Sequence, residues 1–71
     1  MQELTDRQQQ VLDFIKSYIG EYEISPSILD IAAEFEIYPT AVVDHLAALQ
    51  KKGKIKLLKR VARGIVVKED S

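Results

Sequence analysis

The amino-acid sequence predicts a small, mainly α-helical domain that ends in a β-hairpin. Apolar residues recur at three- and four-residue spacing in three stretches, which is typical of amphipathic helices. After Gly53 the spacing changes to two residues, which is typical of strands. The 71 residues leave room for one domain over 1–71 with a thin core, and little room for a pocket of roughly 300 Å³ or more.

The first helix is predicted over about 6–20. Thr5 and Gln8 stand three residues apart, as in a capping box, where each side chain satisfies a backbone N–H at the start of the helix. Gly20 lies near the expected end. The apolar stripe consists of Val11, Leu12, Ile15, Tyr18 and Ile19.

The second helix is predicted over about 27–35. Ser27 and Asp30 repeat the capping pattern. The helix is short because Pro39 disfavours a helical conformation at Tyr38. Its apolar face consists of Ile28, Ile31, Ala32 and Phe35.

The third helix is predicted over about 40–52 and ends before Gly53, a residue favoured just after a helix end. Its inward stripe consists of Val42, Leu46 and Leu49. Ala47 and Ala48 are expected to allow close approach of a neighbouring element. The hairpin follows over about 54–68, with Ile55, Leu57, Ile65 and Val67 expected to face the helices, since an isolated hairpin is marginally stable.

Charge is distributed very unevenly, although the formal total is only −1. Residues 1–50 have a balance of −7, residues 51–68 have a balance of +8, and Glu69 and Asp70 complete the total. A polyanion responds to the local field, because the Debye length is only about 8 Å at physiological salt. The basic segment therefore indicates either a nucleic-acid contact or a solvated, lysine-rich hairpin that protects a sheet edge.

The order of elements favours the first interpretation. Two helices joined by a tight turn, 27–35 and 40–52, form a helix-turn-helix, whose second helix reads the major groove. A basic hairpin directly after that helix is the wing of a winged helix-turn-helix. In such a domain the recognition helix meets base edges while the cations of the wing contact phosphates.

Several short stretches, with nearly constant spacing over almost the whole chain, resemble the N-terminal DNA-binding domain of the LexA repressor family. They are Leu4-Thr5-x-Arg7-Gln8-Gln9, Pro26-Ser27, Asp30-Ile31-Ala32, His45-Leu46-x-x-Leu49, Lys52-Gly53-x-Ile55 and Arg63-Gly64-Ile65. The resemblance implies a domain that recognises operators of DNA-damage-response (SOS) genes, normally as a dimer. The family's full-length repressor also carries a self-cleaving serine/lysine protease domain. Residues 1–71 contain no counterpart of it, so self-cleavage is not expected.

The sequence departs from the family pattern at the turn between the second and third helices. The turn is one residue shorter, and Glu36 stands where glycine is usual, which predicts a different turn or backbone strain. Ile28 occupies a place where relatives often carry a basic residue. The recognition helix also offers few hydrogen-bond donors to bases.

The predicted partner is double-stranded DNA. Thr40, Ala41, Val43 and Asp44 are the candidates for base readout, Val43 through a thymine methyl group and Asp44 through a cytosine amino group. Val43 equally fits a place in the core beside Val42. The candidates for contact with the DNA backbone are Tyr38, Lys51, Lys52, Lys59, Arg60, Arg63, Arg7 and Ser27. Tyr38 equally fits a place over the edge of the core, and Lys51 and Lys52 also suit the helix dipole. Two lysines on the third helix and three wing cations predict about five phosphate contacts. The isolated chain is expected to be a monomer that dimerises, if at all, on DNA.

An alternative from another class is a small winged-helix module for protein–protein contact, of phage or plasmid origin, with weak or no DNA binding. It is motivated by the acidic half of the chain, by Asp44 and by the altered turn. Enzymatic activity is not expected, since the chain lacks cysteine, a phosphate-binding glycine loop and a serine–histidine arrangement of useful spacing. No cofactor, metal or membrane segment is predicted, and a cytoplasmic location is expected.

Overall fold

The helices and strands lie close to their predicted positions. The computed structural model describes residues 3–68, so the acidic pair Glu69-Asp70 lies outside the described residues. The chain forms three helices, α1 (Asp6–Tyr22), α2 (Ile28–Phe35) and α3 (Pro39–Lys51), and then two strands, β1 (Ile55–Leu57) and β2 (Ile65–Val67). Within residues 3–68, no helix is both long enough and apolar enough to cross a membrane.

Both predicted capping boxes are present. The Thr5 side chain accepts a hydrogen bond from the Gln8 backbone N–H, and the Gln8 side chain accepts one from the Thr5 N–H. Ser27 and Asp30 form the same pair at the start of α2. Each box satisfies two N–H groups that a helix leaves without intrahelical partners, so both helix starts are encoded locally.

The end of α1 differs from the prediction. The helix continues past Gly20 to Tyr22 and ends where Glu23 adopts the left-handed conformation with φ 62°. Its backbone N–H then donates to the Ile19 carbonyl oxygen at 2.8 Å. Gly20 therefore lies within the last turns of the helix and does not terminate it.

The start and end of α3 are each one residue earlier than predicted. Pro39 occupies the first helical position, where its missing N–H costs nothing. At the other end Gly53 has φ 77°, the Gly53 N–H donates to the Gln50 carbonyl, and the Lys54 N–H donates to the Leu49 carbonyl. This is a Schellman motif, which confirms the predicted role of Gly53 after the helix.

The turn between α2 and α3 confirms the expected backbone strain. Glu36 has φ 55° and ψ 46°, a left-handed conformation that disfavours residues other than glycine. The Glu36 N–H donates to the Ala32 carbonyl, and the Ile37 N–H donates to the same oxygen at 3.1 Å. Glu36 thus adopts the conformation that the turn requires, with a conformational strain that glycine would not have.

The core lies where α1, α2 and the hairpin meet α3. Antiparallel pairing places Ile55 opposite Val67 and Leu57 opposite Ile65. All four side chains face the core as predicted, Ile55 and Ile65 fully and the other two partly. The remaining buried apolar residues are Val11, Leu12, Ile15, Ile31, Ala32, Val42, Leu46 and Leu49. Of the two alanines predicted at close contacts, Ala48 is half-buried but Ala47 is exposed.

Candidate nucleic-acid interface

The side of α3 opposite its buried stripe is exposed along the whole helix. Tyr38 caps the helix through its backbone and is 82% exposed. Thr40, Val43, Asp44 and Ala47 follow at spacings of three and four residues and are all exposed. They consequently lie on one face, a surface of small, apolar and acidic groups with a single hydroxyl.

An apolar groove of about 200 Å³ separates this helix from the wing. Val43 and Leu46 line one wall, and Leu58 and Val61 belong to the other. Val43 remains 47% exposed and Val61 52% exposed. The exposed face of α3 and the loop of the hairpin therefore flank one common opening.

The loop of the hairpin, residues 58–64, carries exposed cations. Lys59 and Arg60 are exposed at its tip, where Arg60 has φ 64°. Lys51 is exposed in the last turn of α3. Among the predicted cationic contacts, these three are the side chains for which the structure of residues 3–68 shows no hydrogen bond, ion pair or ring contact.

Lys52, in contrast, is bound within the domain. Its Nζ donates to the Gln8 Oε1 at 2.7 Å and to the Glu3 carbonyl oxygen at 2.8 Å. The side chain is half-buried. The contact joins the end of α3 to the first turn of α1 and leaves this ammonium less available to a phosphate than its neighbour.

Arg63 is also bound within the domain. Its Nη1 donates to the Asp30 Oδ2 and to the Ser25 carbonyl, both at 2.9 Å, and to the Tyr18 hydroxyl at 3.3 Å. The hydrogen bond to Tyr18, with that to Asp30 and the charge of its carboxylate, raises the pKa of Arg63 against the effect of burial. The guanidinium thus joins the wing to α1, α2 and the loop between them.

Asp30 is the acceptor at the centre of this arrangement. Its Oδ2 accepts from the Ser27 N–H, the Tyr18 hydroxyl and Arg63. The pKa of the carboxyl lies below its ordinary value of 3.8, chiefly because the Ser27 backbone N–H donates to it, with further lowering by Arg63. Partial burial opposes this shift.

The other predicted contacts lie at varied places. The Arg7 guanidinium lies 5.2 Å from the centre of the Phe35 ring. Ser27 caps α2 and is half-buried, and Ala41 is half-buried in the first turn of α3. Their contacts with DNA stay predictions.

Sequence reasoning missed three features of this surface. Ala47 belongs to the exposed face of α3, and its spacing of four residues from Val43 could have shown this. Leu58 and Val61 form an apolar wall of the groove that no local sequence pattern predicts. The Gln50 Oε1 accepts from the Leu57 N–H at 2.7 Å and so joins the end of α3 to β1.

Comparison with known proteins places this arrangement in a family. Residues 1–64 match the model of the LexA DNA binding domain. The LexA repressor of Pseudothermotoga lettingae is 52% identical over 65 residues, and that of Petrotoga mobilis is 53% identical over 66 residues. Each alignment covers 92% of this chain but 32% of the relative. The chain therefore spans about a third of the length of these repressors.

A solved structure has the same fold. The crystal structure of the possible transcriptional regulator YydK from Bacillus subtilis superposes with a TM-score of 0.64 at 25% sequence identity. It covers 94% of this chain and 31% of the other. The winged helix-turn-helix predicted from the order of the elements is confirmed.

Proposed function

The chain belongs to the LexA DNA-binding domain family, and from this premise we propose that it binds double-stranded DNA sequence-specifically as the recognition part of a transcriptional repressor. The relatives favour this over a module for protein–protein contact. The observation that carries the proposal is the exposed face of α3 beside a cationic hairpin loop. The match is to a DNA-binding domain, which points to a non-enzymatic role for these residues.

We propose that α3 enters the major groove. Thr40 lies in its first turn, where the side chain reaches a base edge as donor or acceptor, and Ala41 allows close approach. Val43 supplies an apolar contact for a thymine methyl group, and Asp44 accepts a hydrogen bond from a cytosine amino group. Ala47 extends the same face, so the readout depends on shape and methyl contacts more than on donated hydrogen bonds.

Phosphate contacts are proposed for Lys51, Lys59 and Arg60, with Tyr38 beside the start of α3. Cations at these places hold the domain on the backbone without reading sequence. Because Lys52 and Arg63 already bind within the domain, three phosphate contacts are proposed instead of five. Arg7 and Ser27 are assigned no primary contact.

Repression of DNA-damage-response genes is proposed by analogy with the LexA repressors, and DNA binding implies a cytoplasmic location with the chromosome. One domain covers one half-site. We propose that the isolated chain is a monomer and that two copies occupy paired half-sites. Sedimentation velocity without and with a duplex that carries two half-sites measures both states.

A salt titration tests the proposal. The 71-residue chain is titrated with a duplex that it selects from a random-sequence pool, and with a scrambled version of that duplex. Three phosphate contacts predict a slope of log affinity against log salt of about −2.7, so that fivefold more salt weakens binding by nearly two orders of magnitude. Tighter binding to the selected duplex supports sequence-specific recognition. Absence of binding to both duplexes at low salt would refute DNA binding.

A further inference from the structure

Arg63 belongs to the wing, but its hydrogen-bond partners all lie outside the wing. The Asp30 carboxylate, the Ser25 carbonyl and the Tyr18 hydroxyl belong to α2, the α1–α2 loop and α1, respectively. The Arg63 and Asp30 side chains are 42% and 33% exposed. One nitrogen atom of the hairpin thus contacts three separate parts of the helical body.

The next two residues continue this attachment. The Ile65 N–H donates to the Ser25 Oγ at 3.3 Å, and Ser25 is itself buried. Gly64 is buried as well, with the Val61 carbonyl oxygen only 3.0 Å from where a Cβ would lie. The hairpin is therefore anchored at the point where its loop enters β2.

An anchor at this point limits the directions in which the wing can point. Two strands of three residues each are too few to hold their own orientation in water. Lys59 and Arg60 lie only a few residues before Arg63, so the position of Arg63 limits where these cations can lie. Asp30 also caps α2, the first helix of the helix-turn-helix, so the anchor links the wing to the element that supports α3.

We propose that Arg63 and Asp30 form a clasp that fixes the direction of the wing, so that Arg63 is a positioning residue for DNA binding and not a phosphate ligand. The proposal rests on the proposed function, because it concerns how Lys59 and Arg60 are presented to DNA. The clasp lowers the entropy that the wing loses on binding, since the loop is ordered beforehand.

A change of charge separates the two roles by the sign of its effect. Asp30→Asn removes a negative charge beside Arg63 of the wing, so simple electrostatics predicts tighter binding to a phosphate backbone. The clasp predicts weaker binding, by about three- to tenfold, because a charge-assisted hydrogen bond is lost. Glu34→Gln is the matched control: it removes one carboxylate from the exposed side of α2 one turn later, and should leave affinity equal or slightly higher.

The salt dependence of Arg63→Ala gives the second readout. A positioning residue leaves the slope of log affinity against log salt unchanged, whereas a phosphate ligand reduces its magnitude by about 0.9. The double variant Asp30→Asn/Arg63→Ala should bind no more weakly than Arg63→Ala alone, since the contact is already lost. Should Asp30→Asn fail to fold, Tyr18→Phe replaces it: it removes the hydroxyl that donates to Asp30 and accepts from Arg63 without a change of charge, and the clasp predicts weaker binding for it as well.

Hydrogen exchange in the chain without DNA keeps this test independent of the proposed function. The clasp predicts faster exchange at the Ile65 and Leu58 amides in Arg63→Ala than in wild type, while the amides of the α3 core change less. Unchanged exchange at these two amides would overturn the clasp, as would Asp30→Asn binding like Glu34→Gln or a reduced slope in Arg63→Ala. Failure of the wild-type chain to bind DNA would refute the proposed function instead.

Discussion

The Nζ of Lys52 lies 2.7 Å from the Oε1 of Gln8, although 44 residues separate them in the sequence. The same Gln8 oxygen accepts from the Thr5 N–H. The capping box of α1 is thereby joined to the end of α3, the helix proposed to read DNA. Two adjacent lysines consequently have different surroundings, Lys52 half-buried and bound, Lys51 exposed.

Replacing these two lysines one at a time should separate stability from DNA binding. Lys52→Ala should lower the free energy of unfolding by about 1 kcal/mol, because a partly buried hydrogen bond to Gln8 is lost. Lys51→Ala should change it by less than about 0.5 kcal/mol, but should reduce the magnitude of the salt slope by about 0.9. Urea denaturation and salt titration measure the two effects. If the two variants had the same free energy of unfolding and the same salt slope, Lys51 and Lys52 would not have separate roles.

The turn before α3 predicts a stabilising substitution. Glu36→Gly should raise the free energy of unfolding by about 0.5–1 kcal/mol, because glycine adopts φ 55° without the strain that a Cβ causes. Glu34→Gly makes the same chemical change inside α2 and should lower it by about 1 kcal/mol. Thermal denaturation of both variants, followed by circular dichroism, gives the sign. A destabilised Glu36→Gly would show that the glutamate has a compensating contact.

Two glycines should respond oppositely to alanine. In Gly64→Ala the new Cβ would lie 3.0 Å from Val61 atoms and 3.1 Å from the Leu58 Cβ, so the loop must shift, at a cost of about 1 kcal/mol or more. The affinity for DNA should also fall, because this loop carries Lys59 and Arg60. Gly20 lies inside α1 with no atom within 4 Å of a new Cβ, and Gly20→Ala should stabilise the domain by about 0.5–1 kcal/mol. Denaturation midpoints measure the stability of both variants. A Gly64→Ala variant as stable as wild type would show that the loop accommodates a Cβ at this position.

The positions of the elements could be predicted because their signals are local. Thr5 with Gln8 and Ser27 with Asp30 mark helix starts within four residues, and Gly53 marks a helix end. The left-handed conformation of Glu23 could not be predicted, because glutamate rarely adopts it. Lys52 and Arg63 are predicted as phosphate ligands from their charge and position, and for Arg63 also from the Arg-Gly-Ile match, but their partners Gln8 and Asp30 lie 44 and 33 residues away. Only the packed fold shows that these cations have neighbours.

The Asp30 carboxyl predicts a loss of stability in acid. Its pKa in the folded chain lies below the ordinary value of 3.8, so its contribution is present at higher pH and declines as pH falls from about 4 through the folded pKa. The difference in unfolding free energy between wild type and Asp30→Asn should therefore be constant near neutral pH and shrink in that acidic range. In an Arg63→Ala background the difference should be smaller throughout. A difference independent of pH would show that the charge of Asp30 contributes nothing.

Val43 predicts a dependence on the thymine methyl group. Its side chain is 47% exposed on the face of α3 and has no hydrogen-bonding group, so its contribution to readout must come from apolar contact. Replacing thymines of the selected duplex by uracil, one at a time, removes only the C5-methyl group. At one position this should weaken binding by about threefold or more, since burial of a methyl group contributes about 0.8 kcal/mol. In Val43→Ala the loss should largely disappear at that position, while the salt slope stays at its wild-type value because no phosphate contact has changed.

Thr40→Ala is the control on the same face and should keep the preference for thymine. If uracil is tolerated at every position, or if Val43→Ala keeps the full preference, Val43 does not read a methyl group and the specificity of α3 lies with Thr40 and Asp44.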